Sequence, residues 1–192
     1  MKEIEAKFKL KDPDLYQENS DFKILTKKKI LDIYFDHPKL DFSKDDKVLR
    51  LRKENAQYFL TYKGPREKHQ SLLVREELEF PISQDEIAEK FILALGFIPQ
   101  AKAEKTRIYL KNKYFPKLQI TIDQYPFIKD FLEIEGNEEE IEQFCQKYQL
   151  DLNQALQKNC TEIFLEYCKE NQLPFEQPKL YFTFDDEKNL RP

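Results

Sequence analysis

The chain has 192 residues, and its 32 lysines and arginines stand against 36 aspartates and glutamates for a net charge of -4. That near balance argues against a nucleic-acid binder, whose footprint is a basic excess, and no stretch reaches the roughly 18 to 20 apolar residues of a membrane-spanning helix. The length suits one domain with a sizeable core. The opening Met1-Lys2-Glu3-Ile4-Glu5 has no secretory apolar run, so a cytoplasmic location is expected, with neither nucleic acid nor membrane as partner.

The first segment alternates Glu3, Glu5 and Lys7 with Ile4, Ala6 and Phe8, which predicts a strand with one charged and one apolar face. Asp12-Pro13 reads as N-cap and first helical position of a short helix ending near Asn19. Strands are predicted from Lys29 to Asp36, Val48 to Lys53, Tyr58 to Lys63 and Leu72 to Phe80. Ser83 with Glu86 forms a capping-box signature and opens a helix that gathers Ile87, Ala88, Phe91, Ile92 and Leu95 on one face before Gly96. Three further strands follow near Ala103 to Leu110, Leu118 to Gln124 and Phe131 to Glu135. Gly136-Asn137 introduces a helix containing Ile141, Phe144, Cys145 and Tyr148, and a helical stretch from Asn153 to Asn171 has a candidate break at Lys158-Asn159. The tail from Leu173 carries Phe175, Tyr181, Phe182 and Phe184. Such mixed, strand-dominated order implies an antiparallel α+β domain with its helices outside the sheet.

Charged alternation recurs at Leu49-Arg50-Leu51-Arg52, Tyr62-Lys63, Arg75-Glu76-Glu77-Leu78-Glu79, Lys105-Thr106-Arg107-Ile108, Ile120-Thr121-Ile122-Asp123 and Leu132-Glu133-Ile134-Glu135. On a single strand this is the ordinary mark of a sheet with one face in water. Across the set the residue types are selective, with Glu-x-Glu recurring and few of the Ser, Thr or Gln residues that fill a solvent face. Closing the sheet would line its interior with ions. Buried ions cost several kcal/mol each unless compensated, and a polyphosphate held between cations and carboxylate-bound metal would satisfy both sets. The carboxylates Glu3, Glu5, Glu77, Glu79, Asp123, Glu133 and Glu135 are hard oxygen donors, which favours Mg²⁺ or Mn²⁺ over Zn²⁺. Lys7, Arg50, Arg52, Lys63, Arg75, Lys105 and Arg107 suit phosphate oxygens. Tyr34 and Asp36 share a strand face and are candidates for the same lining or for packing. Pro65 to Gln70 reads as a hairpin connection, His37 and His69 as solvated, and Cys145, Cys160 and Cys168 as reduced structural thiols.

The opening Glu3-Ile4-Glu5-Ala6-Lys7 resembles the ExExK signature of the CYTH superfamily, the triphosphate tunnel metalloenzymes. The similarity continues through Tyr34-Phe35-Asp36, the Arg50 and Arg52 pair, Leu60-Thr61-Tyr62-Lys63-Gly64-Pro65, Arg75 to Glu79, Leu95-Gly96-Phe97, Lys105-Thr106-Arg107 and Phe131 to Gly136. It covers roughly residues 1 to 170 and is nearest the class IV adenylate cyclase-like branch. The resemblance implies an eight-stranded antiparallel β-barrel with helices packed outside. It implies a CYTH domain over 1–172 and a tail, 173–192, packed in part on the barrel. Glu3, Glu5, Glu133 and Glu135 would face metal with Glu77, Glu79 and Asp123 nearby, the seven cations would grip phosphates, and Glu3, Glu5, Lys7 and Lys63 would serve catalysis. Members near the cyclase branch often have Gly-Leu-Gly before the last Glu-x-Glu, where this chain has Tyr125-Pro126-Phe127-Ile128-Lys129-Asp130. Three activities stay open: conversion of ATP to cyclic AMP and pyrophosphate, hydrolysis of inorganic, thiamine or nucleoside triphosphate, and polyphosphate or nucleotide binding without catalysis. The oligomeric state, homodimer included, stays open as well.

Overall fold

A computed structural model describes residues 2–12, 14–67, 69, 71–174 and 180–190. The alternating segments become β1 (Lys2–Lys9), β2 (Phe22–Asp36), β3 (Val48–Glu54), β4 (Gln57–Lys63), β5 (Leu73–Ile82), β6 (Ile98–Asn112), β7 (Gln119–Gln124) and β8 (Phe131–Glu135). Neighbours in the order β2-β3-β4-β5-β1-β8-β7-β6 pair antiparallel, and β2 pairs back onto β6 from Phe22 opposite Asn112 to Asp36 opposite Ile98. The eight strands therefore close into a barrel, as the sequence leads one to expect. Closure also explains why β2 starts at Phe22 rather than Lys29 and β6 runs beyond Ala103 to Leu110 on both sides: each is extended by the other's ladder. A ninth strand, β9 (Leu180–Phe182), adds in parallel to the start of β6.

Five helices lie outside the strands: α1 (Asp14–Gln17), α2 (Asp85–Ala94), α3 (Glu138–Lys147), α4 (Cys160–Asn171) and α5 (Phe184–Leu190). The break before α4 is real. A short 3-10 turn, Leu152–Gln154, precedes it, and Asn159 caps α4 in a full capping box with Glu162. Asn137 caps α3 by accepting from the Glu139 amide, and Gly136 is required beside it because an added Cβ would meet Leu118 Cδ2 at 2.6 Å.

The apolar faces of the strands point outward into three cores. The largest joins Ala6, Phe8, Ile108, Ile122, Leu132 and Ile134 to Ile141, Phe144 and Cys145 of α3. A second core lies at one end of the barrel, where Ala101, Ala103, Tyr125 and Phe131 meet Phe164 and Cys168 of α4 and Leu180 and Phe182 of β9. Phe164 and Phe182 stack there with centroids 4.2 Å apart. The third core is small and holds Phe35, Leu51 and Ile92 of α2.

Two expectations about α2 are overturned. Its N-cap is Gln84, without a side-chain cap bond, so Ser83 and Glu86 do not form a capping box. The apolar face it was expected to gather is split: Ile92 is buried, whereas Ile87, Phe91 and Leu95 are 60%, 62% and 55% exposed. Residues 87, 91 and 95 form one i, i+4 ridge, and Ile92 lies about 100° around the helix from Phe91. The small Phe35–Leu51 patch accommodates only the Ala88–Ile92 side. The Pro13 and Phe175 readings fall outside the described residues.

Phe144, fully buried against Phe22, Phe115 and Tyr148, anchors the main core. In equilibrium denaturation Phe144→Ala is expected to cost about 3 to 5 kcal/mol, while Phe91→Gln stays within about 0.5 kcal/mol of the parent. Comparable losses for the two variants would contradict the assignment of which apolar rows are core.

Candidate active site in the barrel bore

Closure turns the charged faces inward around a cavity of about 530 Å³. Every metal-facing carboxylate and phosphate-gripping cation expected from the sequence lines it except Asp123, which is fully buried in the wall behind Lys105 and Arg107. Call the end where β1, β2, β4 and β7 finish, and α4 packs, the α4 end. Reading away from it, β3 presents Arg50, Arg52 and then Glu54, and β5 presents Arg75, Glu77 and then Glu79. β1, running the other way, presents Glu3, Glu5 and then Lys7, and β4 ends on Lys63. β6 contributes Lys105 and Arg107 before Tyr109, and β8 ends on Glu135. The lining is thus segregated into two clusters, Arg50, Arg52, Lys105 and Arg107 as mutual neighbours and Glu3, Glu5, Glu77 and Glu135 gathered around Lys63.

Two carboxylates are fully committed to cations within the wall. Arg52 forks onto Asp32 through Nε at 2.7 Å and Nη2 at 2.8 Å. Asp123 accepts from Lys105 Nζ and Arg107 Nε, both at 2.6 Å. Burial opposes the charge on Asp32, but Arg52 and Arg50 outweigh it and hold the carboxyl far below the usual range. Burial likewise opposes Glu133, yet Lys7 at 3.0 Å and Arg107 keep it well below normal. Lys105 is lowered by burial and by Arg107 beside it, against the pull of Asp123.

The remaining carboxylates are crowded instead. Glu5 and Glu135 are direct partners on β1 and β8. Burial raises Glu5 despite Lys7, with Glu133 and Glu3 adding to the rise. Glu135 is pushed up to about 7 by burial and by Glu3, Glu5 and Glu77. Lys63 bridges this group, with Nζ at 2.7 and 2.8 Å from Glu3 and 3.3 Å from Glu77. Arg50 donates through Nη2 to Thr61 at 3.1 Å and Glu79 at 3.0 Å. Arg75 donates to the Gly64 and Asp46 carbonyls, each at 2.9 Å, and so ties two loops to the rim.

Comparison with known proteins agrees with this geometry. The CYTH domain model matches residues 1–159. The chain belongs to the CYTH domain family. It is 35% identical over 139 residues, covering 70% of this chain and 77% of the relative, to a Methanocaldococcus jannaschii protein named "Putative adenylate cyclase". The structure of the PH1819 protein from Pyrococcus horikoshii is similar with a TM-score of 0.70 at 30% identity, covering 85% of this chain and 98% of that one. A Hippeastrum protein, described as a "putative adenylyl cyclase" with a dominant triphosphatase activity, has the same fold at a TM-score of 0.63 and 18% identity, over 85% of this chain and 95% of that one.

The donor chemistry of this CYTH bore fits a hard divalent cation. Glu3, Glu5, Glu77 and Glu135 bring surplus negative charge to one region, where Glu135 accepts from Gln119 Nε2 at 2.8 Å and has no ion-pair partner among the described residues. Among the described residues no three His, Cys, Asp or Glu side chains already converge as a ligand set. Lys63 and Lys7 hold the carboxylates apart.

Several lining or supporting residues were not picked out from sequence. Asp32 shares the Tyr34 face by simple alternation, which was the available signal. Phe59, Thr61 and Tyr109 follow from the same rule applied to β4 and β6. Tyr34 does line the cavity, whereas Asp36 instead accepts from the His37 and Phe42 amides and shapes the β2–β3 loop. Arg66, read as part of a plain hairpin, reaches the cavity and also clasps Asp46 at 2.8 Å and the Gln157 carbonyl. His69 pairs with Glu138, and Lys158 with Glu166, both away from the bore.

Because burial and its acidic neighbours raise Glu135 from the ordinary 4.5 to about 7, the folded state binds that proton more tightly. Its favourable contribution is therefore complete below pH 4.5 and lost as pH climbs through about 7. In divalent-free buffer Glu135→Gln should melt several degrees above the parent at pH 8, with the gap closing near pH 5. A gap that does not change with pH would remove the crowding at this carboxyl.

Proposed function

We propose that this CYTH protein is a divalent-metal-dependent enzyme that processes a triphosphate inside the bore, with ATP cyclisation to cyclic AMP and pyrophosphate as the first reading. The observation that carries the proposal is the segregated lining. A cluster of cations, Arg50, Arg52, Lys105 and Arg107, faces the same cavity as an acidic cluster of Glu3, Glu5, Glu77 and Glu135. A metal–triphosphate guest is the class of ligand that neutralises both. The relationship to the M. jannaschii protein supports the cyclase reading.

The chain's own groups have definable tasks. Arg50, Lys7 and Lys63 would receive phosphate oxygens by exchanging carboxylate partners for phosphate, a swap of one charge-assisted bond for another, and Arg52, Lys105 and Arg107 would offer the N–H donors that Asp32 and Asp123 leave over. Asp32 and Asp123 act as positioning residues, holding the Arg52 and Arg107 forks in fixed orientation. Glu5 and Glu135, with Glu3 and Glu77 beside them, would hold Mg²⁺ or Mn²⁺, which when bound would neutralise charge on the phosphate oxygens. Glu133, kept ionised between Lys7 and Arg107, would also face the metal. Attack by a ribose 3'-hydroxyl on the α-phosphorus gives the cyclic nucleotide; attack by water on the terminal phosphorus gives orthophosphate.

One observation favours hydrolysis as the second reading. Where near-cyclase members have Gly-Leu-Gly, the chain has an aromatic segment, with Tyr125 against Phe131 and Phe182 and Phe127 against Phe164 and Tyr167. That filled segment leaves less room beside the cations than glycines would.

Phosphorus NMR of reactions with ATP, inorganic triphosphate and thiamine triphosphate in Mg²⁺ or Mn²⁺ decides between them. Pyrophosphate with cyclic AMP supports cyclisation, orthophosphate supports hydrolysis, and binding without turnover overturns the enzymatic assignment. Chelation with EDTA should abolish product formation. Glu133→Gln is expected to cut kcat by about 100-fold or more with a smaller change in affinity, and Arg50→Gln to weaken triphosphate binding by roughly tenfold or more.

A further inference from the structure

Four aromatic side chains among the described residues line the bore, and they differ in what they touch. At the α4 end Tyr34 Oη lies 3.6 Å from Cys160 Sγ at the tip of α4, and the Tyr125 ring packs against Phe131 and Phe182. Those two are engaged. Phe59 on β4 and Tyr109 on β6 belong to none of the three cores, and neither meets another aromatic ring among the described residues. Both are only half-buried. An apolar ring turned into a bore of ions and left without packing partners is the kind of surface on which ligand pockets make contact.

The strands fix the position of these rings relative to the cations. Phe59 is the cross-strand partner of Arg52, and Glu54 follows Arg52 on the same face of β3. Tyr109 follows Arg107 in the same way on β6. Because β3 lies between β4 and the paired β2 and β6, Glu54 stands between the two rings, just beyond the cation cluster on the side away from α4. Glu54 is buried and pairs with Lys28, and its Oε2 lies 3.4 Å from Tyr109 Oη. That separation is at the long limit of a hydrogen bond, so this oxygen keeps the capacity to accept a better donor. Lys28 Nζ stands 5.3 Å from the Tyr109 ring centroid and helps to hold the ring in place. Ile30, opposite Glu54 on β2, is buried outside the three cores and gives the group an apolar backing.

We propose that Phe59, Tyr109 and Glu54 seat the organic group of the triphosphate, and that this group is a planar nitrogen heterocycle carrying an exocyclic amine. The heterocycle stacks on Phe59 and Tyr109, and Glu54 accepts from the amine. The inference rests on the reading of the bore as a triphosphate site and adds a substrate class to it. Stacking on aromatic side chains suits any flat ring, whereas a buried carboxylate, which only accepts, selects for the amine and against an oxo group in its place. Adenine and the aminopyrimidine of thiamine share this chemistry.

Analogues with methylene bridges at both anhydride positions of the triphosphate bind without being turned over. Titration calorimetry in Mg²⁺ should show the adenosine or the thiamine analogue binding about tenfold or more tighter than the bare triphosphate analogue, and the tighter of the two names the heterocycle. Phe59→Ala should shrink that ratio to within about threefold, and in the parent the inosine analogue should bind roughly tenfold more weakly than the adenosine one. A ratio that survives Phe59→Ala, or equal binding of the adenosine and inosine analogues, would overturn the proposal. The parent provides a further measurement, whatever the folding of the variant: ring protons of the bound heterocycle should give nuclear Overhauser effects to the Phe59 and Tyr109 rings. Binding without those effects overturns the seat alone, whereas a parent that does not bind the bare triphosphate analogue overturns the functional reading with it.

Discussion

Charge compensation inside a closed sheet is the constraint on which the rest of this protein depends. An ion taken into the bore leaves water on most sides, and losing one partner of a buried pair costs about 3 to 5 kcal/mol. The barrel answers in two ways. At Asp32–Arg52 and around Asp123 it closes ion pairs within the wall, so that these two carboxylates are spent and the cations on them are held in place. Around Glu135 it leaves the answer incomplete, and the carboxyl's raised pKa is the physical trace of what is missing. The first kind of ion shapes the second kind's surroundings.

Such a lining is tolerable because the folding energy comes from elsewhere. The outward rows of β1, β6, β7 and β8 bury Phe8, Ile108, Ile122, Leu132 and Ile134 against α3, forming a core wrapped around the barrel. The inside is thereby released from packing duty. At the α4 end the two regimes meet within single strands: β6 reads Ala101, Ala103, Lys105, Arg107 along one face, turning from apolar floor to ionic wall over six residues.

Much of this was legible beforehand because a strand's alternation has a period of two, which fixes which residues share a face without any knowledge of neighbours. The inward rows of β1, β3, β5, β6 and β8 follow directly. Pairing is different. That Asp123 answers Lys105 and Arg107 depends on register between β6 and β7, and Asp32 with Arg52 on register between β2 and β3, neither of which is encoded locally. Helical periodicity failed at α2 for a related reason. Ile87, Phe91, Ile92 and Leu95 span too wide an arc for a narrow contact patch, and the sequence alone does not say which part of the arc wins. Arg66 and the tip of α4 escaped notice because loops and caps acquire their position from the elements that they join.

The pairing of β6 has a consequence for how the chain is made. β6 offers Thr106 to Leu110 to β7, and Ala101 to Ala103 to β9, whose residues 180–182 come well after β8 in the chain. During synthesis on the ribosome the first eight strands emerge well before the last one, and the early part of β6 waits with an open hydrogen-bonding edge beside Phe131 and Tyr125. Nascent chains with such an edge are the species most exposed to mispairing and to chaperone capture. Covering that edge with β9 therefore follows the emergence of the eight barrel strands, and the interval before it is the vulnerable period.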